Sequence, residues 1–493
     1  MKITRDLYTN SMALLTDLYQ VTMASSYWEA GLAEQQSVFT LFFRENPFRG
    51  GYTINCGLDY IIDFINSFRF SNEDLAYLEA VNSRSGTPIF GDGFLQYLRD
   101  LRFTCHVDAA AEGTVLFPHE PMLKVEGPVV QAQLLETPLL NILNFQSLIA
   151  TKSARIGLAA KGDSVMEFGL RRAQGIDGAL AASRAAYIGG CTSTSNILAG
   201  KLFDIPVSGT HAHSWVMMFE DELEAFRKYA ASMPDNCVFL VDTYDTRQGV
   251  RHAITVAKEM EEKGHRALGV RIDSGDLAYF STMARTMLDE AGLNYMKIVA
   301  SNDLDEHIIE SLRMQDAAID IWGVGTKLVT AFDQPALGAV YKLSSICTDG
   351  NWQPRIKLSE QQIKINNPGR QQIIRFLKDD QYFADAIFDV GSPLEKSINI
   401  IDPLDPTRRK KLKISDYETE EVLVPVFREG RCCYQSPATK DIRTKVASQL
   451  SKLHRGVKRL VNPHRYPVGL EAGYYKMKTD LILKMRNINE PQL

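Results

Sequence analysis

The stretch DSVMEFGLRRAQGIDGALAASRAAYIGGCTSTSNILAGKLFDIPVSGTHAHSWVMMF, residues 163–219, decides the fold. SVMEFG reads as a short buried strand, and Arg171 and Arg172 follow at its C-terminal end, where the open sites of α/β folds are built. IPVSGTHAHSW repeats the plan as strand, glycine turn, polar residues and helix. Two strand ends therefore offer one pocket a cation, a hydroxyl and an imidazole.

Downstream of this stretch a regular beat continues. CVFLVDT begins at 237, ALGVRIDSGD at 267, KIVASND at 297 and DIWGVGT at 320, with helical stretches such as GVRHAITVAKEMEEKG between them. Strands recurring about every thirty residues with helices between them mean βα units on a parallel sheet or barrel. Polar residues stand at each exit: Asp242 and Asp245, Arg271 and Asp273, Asn302 and Asp303, then Gly323 to Thr326. In a β/α barrel that rim carries the active face. The fold expected is α/β, an irregular β/α barrel with an N-terminal α/β domain and a C-terminal extension.

The flanks read differently. Thr16 is the expected N-cap of a helix DLYQVTMASSYWEAG with Leu18, Val21, Ser25 and Trp28 on one face; strand SVFTLFF, turn RENPFRGGY and TINCGLDYIIDFI follow. Residues 106–130 suit antiparallel hairpins, and after Leu343 short strands replace the βα beat. The helix from Asp441 to Leu460 carries a stripe of Ile442, Val446, Leu450, Leu453, Val457 and Leu460, with a basic face read as solvated. Three domains are expected: 1–135, N-terminal α/β; 136–345, the barrel and catalytic domain; and 346–493, C-terminal.

Composition narrows the classes. With 45% hydrophobic and 23% charged residues the chain reads as an ordinary globular protein, and a net charge of -5 argues against a nucleic-acid footprint. MKITRDLYTN lacks the apolar core of a signal peptide, and no apolar run is long enough to span a bilayer. The cysteines at 56, 105, 191, 237, 347, 432 and 433 form no C-x-x-C, which indicates neither a disulfide scaffold nor a zinc site. A cytoplasmic setting is expected.

Three constellations can carry chemistry. GVGT at 323–326 closes a strand before a helical stretch, so its N–H groups could ring a phosphate; a tight βα turn is the plainer reading. Arg271 and Asp273 stand two apart at a strand end: a bidentate clamp for an anion beside a carboxylate for ribose hydroxyls or Mg²⁺, or else an internal salt bridge. His211 and His213 lie before a helical run, where a neutral imidazole can act as nucleophile or serve structure alone. Zinc binding by the pair lacks a third ligand nearby.

TDLYQVTMA, FRENPFRGGY, EFGLRRAQG, SGTHAHSW, VRIDSGDL and GVGTKLVT, in this order, resemble the nicotinate phosphoribosyltransferase family over roughly residues 11–345, and NNPGR extends the likeness. The resemblance implies the type II phosphoribosyltransferase fold. It implies conversion of nicotinate, phosphoribosyl pyrophosphate, ATP and water to nicotinate mononucleotide, pyrophosphate, ADP and phosphate, the entry step of NAD salvage. It implies a homodimer with the site at the interface, and Mg²⁺ held through substrate phosphates with Asp273 as a candidate ligand. His213, in the family's G-T-x-A-H motif, would be the phosphorylated residue, with His211 at the variable position. Tyr19, Phe168, Thr210 and Arg271 match nicotinate contacts, Tyr19 reaching in from the partner subunit. Arg171 and Asp273 match positions that place phosphoribosyl pyrophosphate, and Gly323, Gly325 and Thr326 match the 5'-phosphate loop. The alternatives are a nicotinamide phosphoribosyltransferase and a barrel that binds nucleotides or phosphosugars without turnover.

Asn196 bears on the choice of base. Related nicotinamide enzymes resemble this chain around TSNILAG but carry Asp at that position. Nicotinate is an anion, and two like charges about 4 Å apart at an effective dielectric of about 20 repel by roughly 4 kcal/mol before relaxation. Asn196→Asp is therefore expected to weaken nicotinate use, and steady-state kinetics unchanged from wild type would contradict this.

Overall fold

Consecutive apolar residues such as Phe239 and Leu240, or Ile298, Val299 and Ala300, are buried on both faces, as in strands of a helix-covered parallel sheet. The computed structural model describes residues 12–392 and 394–487, so MKITRDLYTN lies outside the described residues. The described residues divide into two compact units, 148–335 with 438–447, and 12–147, 336–437 and 448–487.

The unit built on 148–335 contains a six-stranded sheet. Its order runs Ser193–Thr194, Ser164–Glu167, Ile321–Val324, Lys297–Ala300, Gly269–Ile272, Val238–Leu240, and every pairing is parallel. At the Ser193–Thr194 edge the chain around Val207 adds a further parallel bridge, and Thr194 exchanges backbone hydrogen bonds with Pro206 and Ser208. At the opposite edge the Leu240 N–H donates to the His211 ring. The segment 206–211 thus reaches both sheet edges, an irregular way of closing a barrel.

Helices cover the strands with period-3.6 stripes. Thr246–Glu262 buries Gly249, Val250, Ala253, Val256, Ala257 and Met260. Its start is fixed by Asp245, whose side chain accepts from the Gln248 N–H; Asp276 and Asp305 cap the next two helices in the same way. Under the third of these helices, Glu306 meets Lys152 at 2.7 Å and Arg155 at 2.8 Å, all three side chains being buried. Burial alone would raise the Glu306 carboxyl, but Lys152 and Arg155 outweigh it and hold the group below the usual carboxylate range.

The other unit is largely antiparallel. A seven-stranded sheet places Gln36–Phe42 between Val340–Thr348 and Pro121–Pro128, and His106–Ala110 beside Leu423–Arg428. A six-stranded sheet pairs Gln371–Lys378 with Gln381–Asp389, and Val468–Glu471 and Gln381–Asp389 form its central pair. There Arg375, fully buried, donates to Asp385 at 2.6 Å and lies 3.9 Å from Glu120.

Two local expectations are corrected. The first described helix spans Leu18–Glu29 with Asp17, not Thr16, at its N-cap, and Leu18 is exposed while Gln20, Val21, Ala24 and Ser25 are buried. Asp17 is fixed by the Thr137 hydroxyl, which donates to it at 2.8 Å. The basic helix spans Thr439–Lys452 and ends before Leu453, so Val457 and Leu460 lie beyond it. Among the described residues, no helix is long and apolar enough to cross a membrane.

Candidate active site

The C-terminal ends of the parallel strands open into one pocket. It is lined by Phe168, Arg171, Arg172, Ser195, Gly209, Thr210, Arg271, Asp273, Ser301, Asn302, Asp303, Gly323, Gly325 and Thr326. All of these belong to the barrel unit.

Arg271 is at the centre of the hydrogen bonding. Its Nε donates to Ser301 Oγ at 2.8 Å, Nη1 to Thr210 Oγ1 at 3.0 Å and Nη2 to Asp273 Oδ1 at 2.9 Å. Three acceptors on three different strand exits therefore fix one planar cation. Ser301 also donates to Asp273 Oδ1. Burial pushes the Asp273 carboxyl up, yet Ser301 and Arg271 prevail and hold it below the ordinary range, so it stays an anion. The Arg271 guanidinium also lies over the Phe168 ring, 5.6 Å from its centroid.

Phe168 keeps its place through what surrounds it. Its N–H donates to Val324 O at 2.8 Å, and a Cβ at Gly323 would stand 2.8 Å from its ring carbons. Glu167, wholly buried, accepts from the Gly169 N–H, from Ser183 Oγ at 2.8 Å and from Thr194 Oγ1 at 2.5 Å. One carboxylate thus ties the Phe168 turn to the next strand.

His213 begins a five-residue helix, His213–Met217, at the edge of this cluster. Its Nδ1 is 3.1 Å from Thr243 Oγ1, while Nε2 faces Asp273 Oδ2 at 3.9 Å and Asp242 Oδ1 at 4.0 Å. Asp242 is nearly inaccessible and receives the Asp273 N–H at 2.8 Å and the Ser274 hydroxyl at 2.7 Å through Oδ2. Its Oδ1 is buried without a hydrogen-bond partner. That orphan oxygen and Asp273 Oδ2 suit a hard cation that keeps most of its ligands from elsewhere. Among the described residues, no group of three or more His, Cys, Asp or Glu side chains could hold a metal by itself.

Of the residues expected from the sequence, Phe168, Arg171, Thr210, Arg271, Asp273, Gly323, Gly325 and Thr326 come together at the pocket, with His213 adjoining Asp273. Tyr19 belongs to the other unit, on Leu18–Glu29, and is half exposed. Asn196 stands behind Ser195 and is 2% exposed. Its Oδ1 accepts from Ala199 N at 3.2 Å, capping Ile197–Phe203, and Nδ2 donates to Ser183 Oγ at 3.1 Å. A carboxylate there would keep the cap but lose the donor, and would share one hydroxyl with the Glu167 carboxylate. Asp242, Ser301, Asn302 and Asp303 were visible in the sequence only as polar residues at or beside strand exits.

Among solved structures, human nicotinic acid phosphoribosyltransferase matches with a TM-score of 0.83 at 32% identity, covering 95% of this chain and 100% of that one. Nicotinate-nucleotide pyrophosphorylase from Pyrococcus furiosus matches with a TM-score of 0.69 at 22% identity, covering 90% and 96%, a likeness of fold alone. Fold and site together define a barrel phosphoribosyltransferase. The family models for the nicotinate phosphoribosyltransferase N-terminal domain, family and C-terminal domain match residues 14–144, 164–383 and 370–478. The Bacillus subtilis (strain 168) nicotinate phosphoribosyltransferase is 44% identical over 489 residues, 98% of each chain, and the human one is 34% identical over 524, 93% of this chain and 94% of its own. The chain belongs to the nicotinate phosphoribosyltransferase family.

The contact between Gly323 and Phe168 sets a prediction. Gly323→Ala should displace the ring and raise the KM for the aromatic substrate by about tenfold, with a smaller effect on fold stability. Kinetics equal to wild type would show that the ring moves without consequence.

Proposed function

We propose that this chain joins nicotinate to phosphoribosyl pyrophosphate, giving nicotinate mononucleotide and pyrophosphate, and that ATP hydrolysis through a phosphohistidine at His213 drives the cycle. One observation carries the reading: a guanidinium fixed by three acceptors lies over an aromatic ring, beside a histidine faced by two carboxylates.

Arg271 and Thr210 receive the nicotinate carboxylate, and Phe168 stacks the pyridine ring against one face. Tyr19 of a second copy, in a homodimer, covers the other. Arg171 and the backbone of Gly323, Gly325 and Thr326 take phosphate oxygens, as glycine turns at strand ends do. With the ring held, its nitrogen attacks C1 of the ribose as the C1–O bond to pyrophosphate breaks, and the fixed cations stabilise the charge that leaves. Mg²⁺, held through substrate phosphates with Asp242 and Asp273 as protein ligands, would neutralise part of that charge.

The two carboxylates opposite Nε2 favour the His213 tautomer with its hydrogen on Nε2, so that Nδ1 presents the lone pair. Nδ1 takes the γ-phosphoryl group as the bond to ADP breaks, and water later releases phosphate. A phosphoryl group on Nε2 would face two anions instead. The cysteines, all seven of them free, agree with a cytoplasmic enzyme.

Product analysis with phosphoribosyl pyrophosphate, Mg²⁺ and either base, with and without ATP, tests this reading. Wild type should form nicotinate mononucleotide with stimulation by ATP, and His213→Ala should lose the stimulation. Preference for nicotinamide would instead identify a nicotinamide enzyme, and binding without pyrophosphate release a non-catalytic barrel.

A further inference from the structure

The parallel sheet leaves a backbone donor at its Val238–Leu240 edge. In that strand the Val241 N–H points to Arg271 O on the neighbouring strand, so the Leu240 N–H points the other way, where no seventh strand runs alongside. A buried N–H without a partner is costly. The partner here is a side chain: His211 Nε2, 3.2 Å away.

The imidazole is built into that position. It is 7% exposed, packs edge-on against Tyr229 at 4.7 Å between centroids, and turns Nδ1 toward Ala212 O at 3.3 Å. An accepting Nε2 and a donating Nδ1–H describe one neutral tautomer. Burial, with Arg271 and His213 nearby, lowers the ring pKa to about 4, despite the Ala212 contact, so the acceptor persists at neutral pH.

On either side of His211 the same loop carries two functional groups. Thr210 Oγ1 receives Arg271 Nη1 at 3.0 Å, and His213 Nδ1 stands 3.1 Å from Thr243 Oγ1. The loop cannot be anchored by ordinary strand pairing at this point, because its pairing with Thr194 ends at Ser208. The geometry points to His211 as a positioning residue that closes the barrel through Leu240 and sets the nicotinate-binding Thr210 and the phosphorylated His213 in one register. The assignment rests on the ATP-coupled reading for its second half only.

Three proteins test it: wild type, His211→Gln, whose amide oxygen can replace Nε2 as acceptor, and His211→Phe, which keeps the ring and removes the acceptor. His211→Phe should raise the nicotinate KM by about tenfold. It should also form more ADP per nicotinate mononucleotide than wild type, and speed amide exchange at Leu240. Its KM for phosphoribosyl pyrophosphate should change by less than about twofold, because GVGT stands at the end of Ile321–Val324 and not on the loop that His211 holds. His211→Gln should restore the three altered values. Wild-type behaviour of His211→Phe, or equal impairment of both variants, would overturn the assignment, as would fast exchange at Leu240 in the wild type. If His211→Phe does not fold, His211→Gln decides alone: wild-type kinetics with Leu240 protected supports the strut, and their loss refutes it. If wild type makes nicotinate mononucleotide without ADP, the coupled reading fails, and the nicotinate KM and Leu240 exchange still decide the role of His211.

Discussion

A single guanidinium organises the mouth of this barrel. Free arginine side chains lose considerable rotamer freedom on being held, and a cation at a strand end loses hydration as well. Arg271 recovers both through Ser301, Thr210 and Asp273, each supplied by a different strand exit. These partners take three of the five N–H donors of the guanidinium, so it keeps donors to offer an anion. The barrel is what brings these exits within hydrogen-bond reach, so the fold and the receptor are one construction.

Around that cation the packing is directed at holding loops still. The aspartates come in pairs three residues apart, and the two members of a pair do different work. Asp242 and Asp273 face the mouth, while Asp245 and Asp276 turn back to cap the helices that follow. Glu167 performs a similar service below the pocket, joining the Phe168 turn to Ser183 and Thr194. Asp305 caps a helix and holds Lys327, which follows the GVGT turn, at 2.7 Å. Strands of only two to four residues are enough here because side chains from the loops extend their hydrogen bonding.

Much of the barrel was legible because its signals are local. Continuous apolar runs at regular spacing with amphipathic helices between them announce βα units, and residues at the exits of such strands fall together whatever their separation in sequence. The other unit was less legible for the opposite reason: Gln36–Phe42 pairs with Val340–Thr348, and His106–Ala110 with Leu423–Arg428, so no local pattern reveals the sheet. Side-chain direction was also hidden. Asn196 sits one residue from a pocket wall, but its carboxamide serves a helix cap and Ser183, a choice that depends on Glu167. His211 read as a variable neighbour of His213, since nothing in a sequence shows that the next strand leaves an N–H to be filled.

The claim that Arg271 selects a carboxylate-bearing ring can be tested by one ratio: kcat/KM for nicotinate over that for nicotinamide, in wild type and in Arg271→Lys. A lysine keeps the charge but cannot keep a planar fork on Ser301, Thr210 and Asp273 together. The account predicts that wild type favours nicotinate and that the ratio falls by about tenfold or more in Arg271→Lys. A ratio that is unchanged by the substitution would contradict it and place the recognition of the carboxylate elsewhere.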